Sequence, residues 1–233
     1  RVLGIIMDVK TCEELAMSTK PDYDLNDPYT LDETSQALYD EYTVTPVTDE
    51  NGLTALPTDE QKNAKFKELL EGLWKNKAIT ELYEPGSTFK LITSAMALEE
   101  NIPEVQPGHL FNCTGSKRVG GFTINCHKKS GHGIENFEQG LQNSCNPVFI
   151  EIAQSLGRER FYKYFELFGF TERTGIDLAG EASSLYHSDF NGFNETELSV
   201  YSFGQTFKIT PIQLITSVSA VANGGKLMKP HVV

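Results

Sequence analysis

The stretch "YEPGSTFKLITSAMALEE", residues 83–100, constrains the fold more than any other part of the chain. Pro85-Gly86 is a turn dipeptide, and an apolar helical pattern follows it at once. Phe89, Ile92 and Met96 lie along one side; Leu91, Ala95 and Leu98 lie along another. Apolar residues thus cover much of the circumference, so this helix is expected to be central and largely buried. Yet its first turn carries Ser87 and Lys90. Helical residues at i and i+3 share a face, so the hydroxyl and the amine point the same way. A serine is a poor nucleophile until a base takes its proton. A lysine is that base only when neutral, and burial drives it toward neutrality. The helix N-terminus favours negative charge developing on the serine oxygen. In a chain this rich in Ser and Lys, about one Ser-x-x-Lys match is expected by chance. The placement carries the reading instead, because a buried amine without a use or a partner is costly.

The remaining chain reads as ordinary globular sequence. Its 233 residues suffice for one large domain or two small ones. A net charge of −12 argues against nucleic acid or an anionic membrane surface as a direct partner. No apolar run is long enough to span a bilayer, and no signal peptide is recognisable. "RVLGIIMDVK" already reads as a strand, so the chain is expected to begin inside a domain, with any anchor lying before it. Residues 1–8 and 13–19 suggest a hairpin. Residues 20–57, rich in Pro, Asp, Thr, Asn and Tyr, read as loop or insertion. Thr58 and Gln61 have capping-box spacing ahead of Phe66, Leu69, Leu70 and Leu73, a helix ending near Trp74. Residues 103–134 are dense in Gly, Lys, Cys and His and read as an irregular loop region with short strand-like pieces. Helices are predicted around 135–143, then up to Gly157, from 158 to 168, and from Thr210 to Asn223. Trp74, Phe89 and the aromatics of 161–170 are expected in the core.

Ser144-Cys145-Asn146 is a Ser-x-Asn step. Ser-x-x-Lys together with Ser-x-Asn and Lys-Thr-Gly is the established signature of penicillin-binding proteins and class A β-lactamases. "GIIMDVKTCEELAMSTKPDYDLN", "LWKNKAITELYEPGSTFKLITSAMALE", "GHGIENFEQGLQNSCNPVFIEIAQSLG", "FGFTERTGIDLAGE" and "SFGQTFKITPIQLITSVSAVANGG" resemble, in order, successive blocks of class B penicillin-binding transpeptidases. The resemblance is to the division and sporulation type and covers most of the chain except residues 28–57. It implies an α+β fold of the penicillin-binding transpeptidase and serine β-lactamase kind, with helices around an antiparallel sheet, residues 1–233 forming part of one domain. It implies that Ser87 is acylated by a D-alanyl-D-alanine stem peptide and that Lys90 is the general base. Ser144 would relay a proton to the leaving amine, and Asn146 would bond the substrate amide or Lys90. An acceptor amine then takes the acyl group and cross-links peptidoglycan, while β-lactams trap Ser87. The implied setting is the outer face of the bacterial cytoplasmic membrane, with a glycosyltransferase as partner through regions outside this chain. A hydrolase on the same fold, a β-lactamase or carboxypeptidase, is the first alternative, although no motif for a deacylating base stands out. A non-catalytic β-lactam sensor or scaffold is the second.

The third motif departs from the pattern. Lys129-Ser130-Gly131 precedes Ser-x-Asn and sits in the cysteine-rich region, so it does not fill that role. The resemblance therefore implies that the true Lys-Thr/Ser-Gly and the last strands of the sheet lie beyond Val233. Residues 1–233 alone are then expected to acylate slowly or not at all, since that strand supplies half of the oxyanion hole.

Cys113, Cys126, His132 and Cys145 are separated by twelve, five and twelve residues. Structural zinc takes four Cys or His ligands in a tetrahedron. Tight Cys-x-x-Cys pairs are absent, but Cys145 lies inside the Ser-x-Asn step, where a metal would fix two catalytic side chains. Some class B relatives look as though they carry a metal here, with carboxylates in place of the two upstream cysteines. His127 is a rival to His132, disfavoured because adjacent residues seldom both reach one ion. A Cys113–Cys126 disulfide and three inert thiols are the other readings.

Overall fold

The computed structural model describes residues 2–232. They form two compact units, one of the residues up to Gly4 with Met17–Thr80, the other of Ile5–Ala16 with Glu81 onward. β1 (Val2–Met7) and β2 (Glu14–Lys20) pair as the expected hairpin. Its turn is closed by Asp8, whose Oδ1 accepts from the Lys10 and Thr11 N–H groups at 2.8 and 2.9 Å.

In the first unit, residues 28–57 are more than a loop. They contain α1 (Glu33–Val44) and a hairpin of β3 (Val47–Thr48) with β4 (Thr54–Ala55). Ser35 is the one fully buried residue of α1; Tyr39 and Tyr42 are half-buried on the same side, so its inward face is marked by tyrosines rather than by an aliphatic stripe. Its start is set by the Asp32 carboxylate, which accepts from the Thr34 and Ser35 N–H groups. α2 (Asp59–Trp74) opens with the expected Thr58 and Gln61 capping box. It buries Leu70 and Leu73 with Leu31, and α3 (Lys77–Thr80) follows. Trp74 is not core: it is 40% exposed, with its indole N–H donating to the Pro28 carbonyl at 2.7 Å.

In the second unit, a short 3-10 turn, Gly86–Phe89, runs into α4 (Lys90–Glu99). Ile92, Thr93, Met96 and Ala97 are buried, but Leu91 and Leu98 are exposed, so one side of α4 faces outward. The region after 103 is more regular than its composition suggests. β5 (Phe111–Cys113) pairs with β8 (Gly133–Glu135), and β6 (Ser116–Val119) with β7 (Phe122–Asn125), all antiparallel. α5 (Phe137–Gln142), α6 (Asn146–Leu156) and α7 (Arg158–Leu167) follow, with Gly157 at φ 75° allowing the break between the last two. α8 (Glu195–Tyr201) was not anticipated, although Asn194 and Glu197 form a capping box before it. α9 (Pro211–Ala222) has the expected Thr210 and Gln213 box. Among the described residues every sheet is two-stranded: β1–β2, β3–β4, β5–β8 and β6–β7.

α4 packs against α6, α7 and α9. Beneath its start lies an aromatic cluster of Phe89, Phe161, Phe165, Phe170, Tyr201 and Phe207, all at most 2% exposed. The Phe89 ring centroid lies 4.9 Å from Phe207 and 5.2 Å from Phe170. Such pairs contribute about 0.5–1.5 kcal/mol each beyond the area they bury. They fix the residue between Ser87 and the helix proper, and so fix where Lys90 projects.

Candidate active site

Ser87 lies on the 3-10 turn rather than on an α-helical one. Residues at i and i+3 eclipse in a 3-10 turn, so Lys90 sits directly over Ser87 rather than obliquely. The turn is entered through Gly86 at φ 57°, a conformation suited to glycine. Ser87 is exposed, whereas Lys90 is 1% exposed. A reachable hydroxyl is thus paired with an enclosed amine.

Lys90 Nζ is 3.3 Å from Ser87 Oγ. It donates to the Ser144 carbonyl at 2.8 Å, to Ser144 Oγ at 3.0 Å and to Asn146 Oδ1 at 2.7 Å. Four oxygens therefore share the three hydrogens of an ammonium. A neutral amine, with two hydrogens, can satisfy two of these acceptors and turn its lone pair to a hydroxyl. The rings of Phe149 and Phe203 lie 5.4 and 6.0 Å from Nζ. Burial pushes the amine down from 10.5 to about 8, against the opposing charge of Cys145 and Cys126.

Ser144 and Asn146 reach Lys90 because of the backbone around them. Ser144 adopts φ 52°, uncommon for a non-glycine residue, and this presents both its carbonyl and its hydroxyl to the amine. Cys145 caps α6, and its N–H donates to the Gly140 carbonyl at 2.9 Å. Asn146 opens α6; its Nδ2 donates to the Asn125 carbonyl at 3.1 Å, at the end of β7. Of the two partners expected for Asn146, the structure shows Lys90.

Cys113, Cys126, His132 and Cys145 are brought together, with one ligand atom from each within 4.8 Å of the others. Cys113 ends β5, Cys126 follows β7, His132 precedes β8 and Cys145 caps α6, so the elements around the second motif converge here. Edges of a tetrahedral Cys₃His zinc site are about 3.5–4 Å, so the group needs only a small contraction to hold one. All four cysteines of the chain are free thiols. Cys126 Sγ lies 3.6 Å from His132 Nδ1 and 3.9 Å from His127 Nδ1, and only His132 joins the group. Burial raises the Cys113 thiol, but the His132 and Gly115 N–H groups bring it below its ordinary value. Backbone donors of that kind suit a thiolate. Glu135, 2% exposed, stands beside His132 at 3.9 Å and accepts from Asn143 at 3.0 Å.

Lys129-Ser130-Gly131 lies in the turn between β7 and β8, not on a strand. The "SFGQ" block, to which the sequence assigns no step, lies against the Ser87 turn: Gly86 N–H donates to the Gly204 carbonyl at 2.9 Å. A Cβ on Gly204 would stand 2.2 Å from the Gly86 carbonyl oxygen. The only sequence signal for this contact is the glycine itself.

Comparison with known proteins identifies the family and the fold. The model of the penicillin binding protein transpeptidase domain matches residues 2–233. Stage V sporulation protein D of Bacillus subtilis (strain 168) is 32% identical over 231 residues, covering 99% of this chain and 30% of that protein. Peptidoglycan D,D-transpeptidase MrdA of Acinetobacter baumannii is 30% identical over 171 residues, covering 68% of this chain and 25% of that protein. Among solved structures, Pseudomonas aeruginosa PBP2 in complex with WCK 5153 superposes with a TM-score of 0.74 at 22% identity, over 99% of this chain and 48% of that one. PBP2 of Helicobacter pylori in complex with MreC gives 0.72 at 22% identity, over 98% and 39%. The chain thus spans less than a third of the two curated relatives.

Proposed function

Because the chain belongs to the penicillin-binding protein transpeptidase domain family, we propose that it carries the acylation site of a serine-type peptidoglycan D,D-transpeptidase. The observation that supports this best is the enclosed Lys90 amine, poised between the exposed Ser87 hydroxyl and the Ser144–Asn146 corner. The neutral amine takes the Ser87 proton as Oγ attacks the penultimate D-alanine carbonyl. A C–O bond forms, the C–N bond breaks, and Ser144 passes its proton to the departing D-alanine amine while taking one from the Lys90 ammonium, which returns to the neutral amine. An amine of a second stem peptide then reverses the sequence and forms the cross-link. β-Lactams enter by the same attack, but their leaving amine stays tethered. The site of action is the outer face of the cytoplasmic membrane; among the described residues no helix is long and apolar enough to cross it. A glycosyltransferase is the partner that supplies the glycan strands.

Zinc held by Cys113, Cys126, His132 and Cys145 is the second part of the proposal. Bound there, the ion supplies no reaction step; it ties the strands of the 111–135 region to the start of α6. Cys145 is then fixed between Ser144 and Asn146, and Asn125, beside Cys126, holds the Asn146 amide.

The test is incubation of the full-length protein with a peptide ending in D-alanyl-D-alanine. Release of D-alanine with transfer to an added amino acceptor is expected, lost in Ser87→Ala. Release to water alone favours a carboxypeptidase, and rapid turnover of a penicillin without D-alanine release favours a β-lactamase. No release, with cell-wall function intact in Ser87→Ala, favours a scaffold.

A further inference from the structure

We propose that Glu84 is a positioning residue: its carboxylate holds the Gly204–Thr206 turn against the turn of Ser87 and so fixes the orientation of the nucleophile. The inference rests on Ser87 being the acylated serine.

Three sets of hydrogen bonds tie residues 83–86 to residues 204–209. Tyr83 and Ile209 exchange N–H and carbonyl at 3.1 Å each way. Gly86 N–H donates to the Gly204 carbonyl at 2.9 Å. Between them, Thr206 N–H donates to Glu84 Oε1 at 3.0 Å. The outer ties are made by backbone. The middle one uses a side chain, so it alone can be removed without changing the chain's path.

Its position gives it work. Gly86, Gly204 and Thr206 have φ of 57°, 80° and 69°. Glycine adopts such angles freely, but a β-branched residue there is an outlier that needs an outside restraint. The Thr206 hydroxyl donates to the carbonyl of its neighbour Gln205 at 2.6 Å and ties it to no other segment. Glu84 supplies that restraint. Glu84, Thr206 and Ser87 are all exposed. Phe207, the next residue, is packed against Phe89, but Glu84 is the group from the Ser87 segment that bonds the Thr206 amide itself. Gly204, two residues from Thr206, approaches Gly86 too closely for any side chain between them. A shift of the 204–206 turn is therefore passed to Gly86, the residue before the nucleophile. Reaction rates are sensitive to misplacements of about 1 Å.

The experiment uses the full-length protein with Glu84→Ala, Glu84→Gln and Glu84→Ala/Thr206→Gly. Deuterium exchange is followed in the peptide spanning 204–209, and acylation by a fluorescent penicillin is measured as a second-order rate against a Ser87→Ala blank. Glu84→Ala is expected to speed exchange of the Thr206 amide and to slow acylation about tenfold, the loss of one charge-assisted hydrogen bond. Glu84→Gln, which keeps an acceptor, stays within about threefold of wild type. Thr206→Gly in the Glu84→Ala background recovers acylation, since glycine needs no restraint. A purely structural role would lower the melting temperature without that recovery. Equal exchange in wild type and Glu84→Ala overturns the clamp, whatever is labelled. Faster exchange with unchanged acylation overturns its link to Ser87. A wild type without Ser87-dependent labelling overturns the acylation reading itself, and the exchange result still decides whether the clamp exists.

Discussion

The Lys90 amine lies 3.0 Å from the Ser144 hydroxyl, across 54 residues of sequence. That contact joins the two motifs into one site, with the amine enclosed and the Ser87 hydroxyl at its open side.

The first prediction concerns pH. Lys90 accepts the Ser87 proton only when neutral, and burial has brought it from 10.5 to about 8. Acylation by a β-lactam, followed by stopped flow, should therefore fall about tenfold per pH unit below about 8 and level off above it. The sign for stability follows from the same group. Between about 8 and 10.5 the unfolded chain holds this proton and the folded chain does not, so the contribution of Lys90 to stability rises with pH across that window.

Asn146→Ala removes the shortest contact to the Lys90 amine, 2.7 Å. Oxygens that accept from the ammonium favour its charged form. Their loss should lower the midpoint of the pH profile, while the plateau rate drops about tenfold or more because the amine is no longer aimed.

Much of this site was legible in the sequence, for identifiable reasons. Ser87, Lys90, Ser144 and Asn146 lie in short contiguous motifs whose chemistry depends on local spacing. The helices with capping boxes at Thr58 and Thr210 announced themselves, because a cap is a local signal. What stayed hidden was tertiary. α1 turns Ser35, Tyr39 and Tyr42 inward, a face without aliphatic residues that is easily read as loop composition. The 3-10 form of the Ser87 turn, over a Phe89 ring packed on Phe207, is recorded by no pattern in residues 83–90. Gly204 and Glu84 matter through partners more than a hundred residues away.

The metal reading predicts about one zinc per chain by elemental analysis. Chelation, or Cys113→Ser with Cys126→Ser, should lower the melting temperature by several degrees and slow acylation, since Asn146 loses its anchor. A chain without metal whose thiols titrate as a disulfide between Cys113 and Cys126 would contradict it.

Glu14 offers a prediction remote from catalysis. It is 8% exposed, and neither carboxylate oxygen has a hydrogen-bond partner among the described residues. Burial raises it from 4.5 to about 7. The unfolded chain loses this proton first, so stability should fall as pH rises from about 4.5 to 7. Glu14→Gln, which cannot ionise, should remove that slope in denaturant titrations between about pH 4.5 and 8.

The central claim is that Ser87 forms the covalent bond and Lys90 activates it. Peptide mapping by mass spectrometry after brief exposure of the full-length protein to a penicillin tests it most directly. The account predicts one adduct, on the peptide containing Ser87, missing from Ser87→Ala and nearly missing from Lys90→Ala. An adduct on another residue, or an undiminished Ser87 adduct in Lys90→Ala, would contradict it.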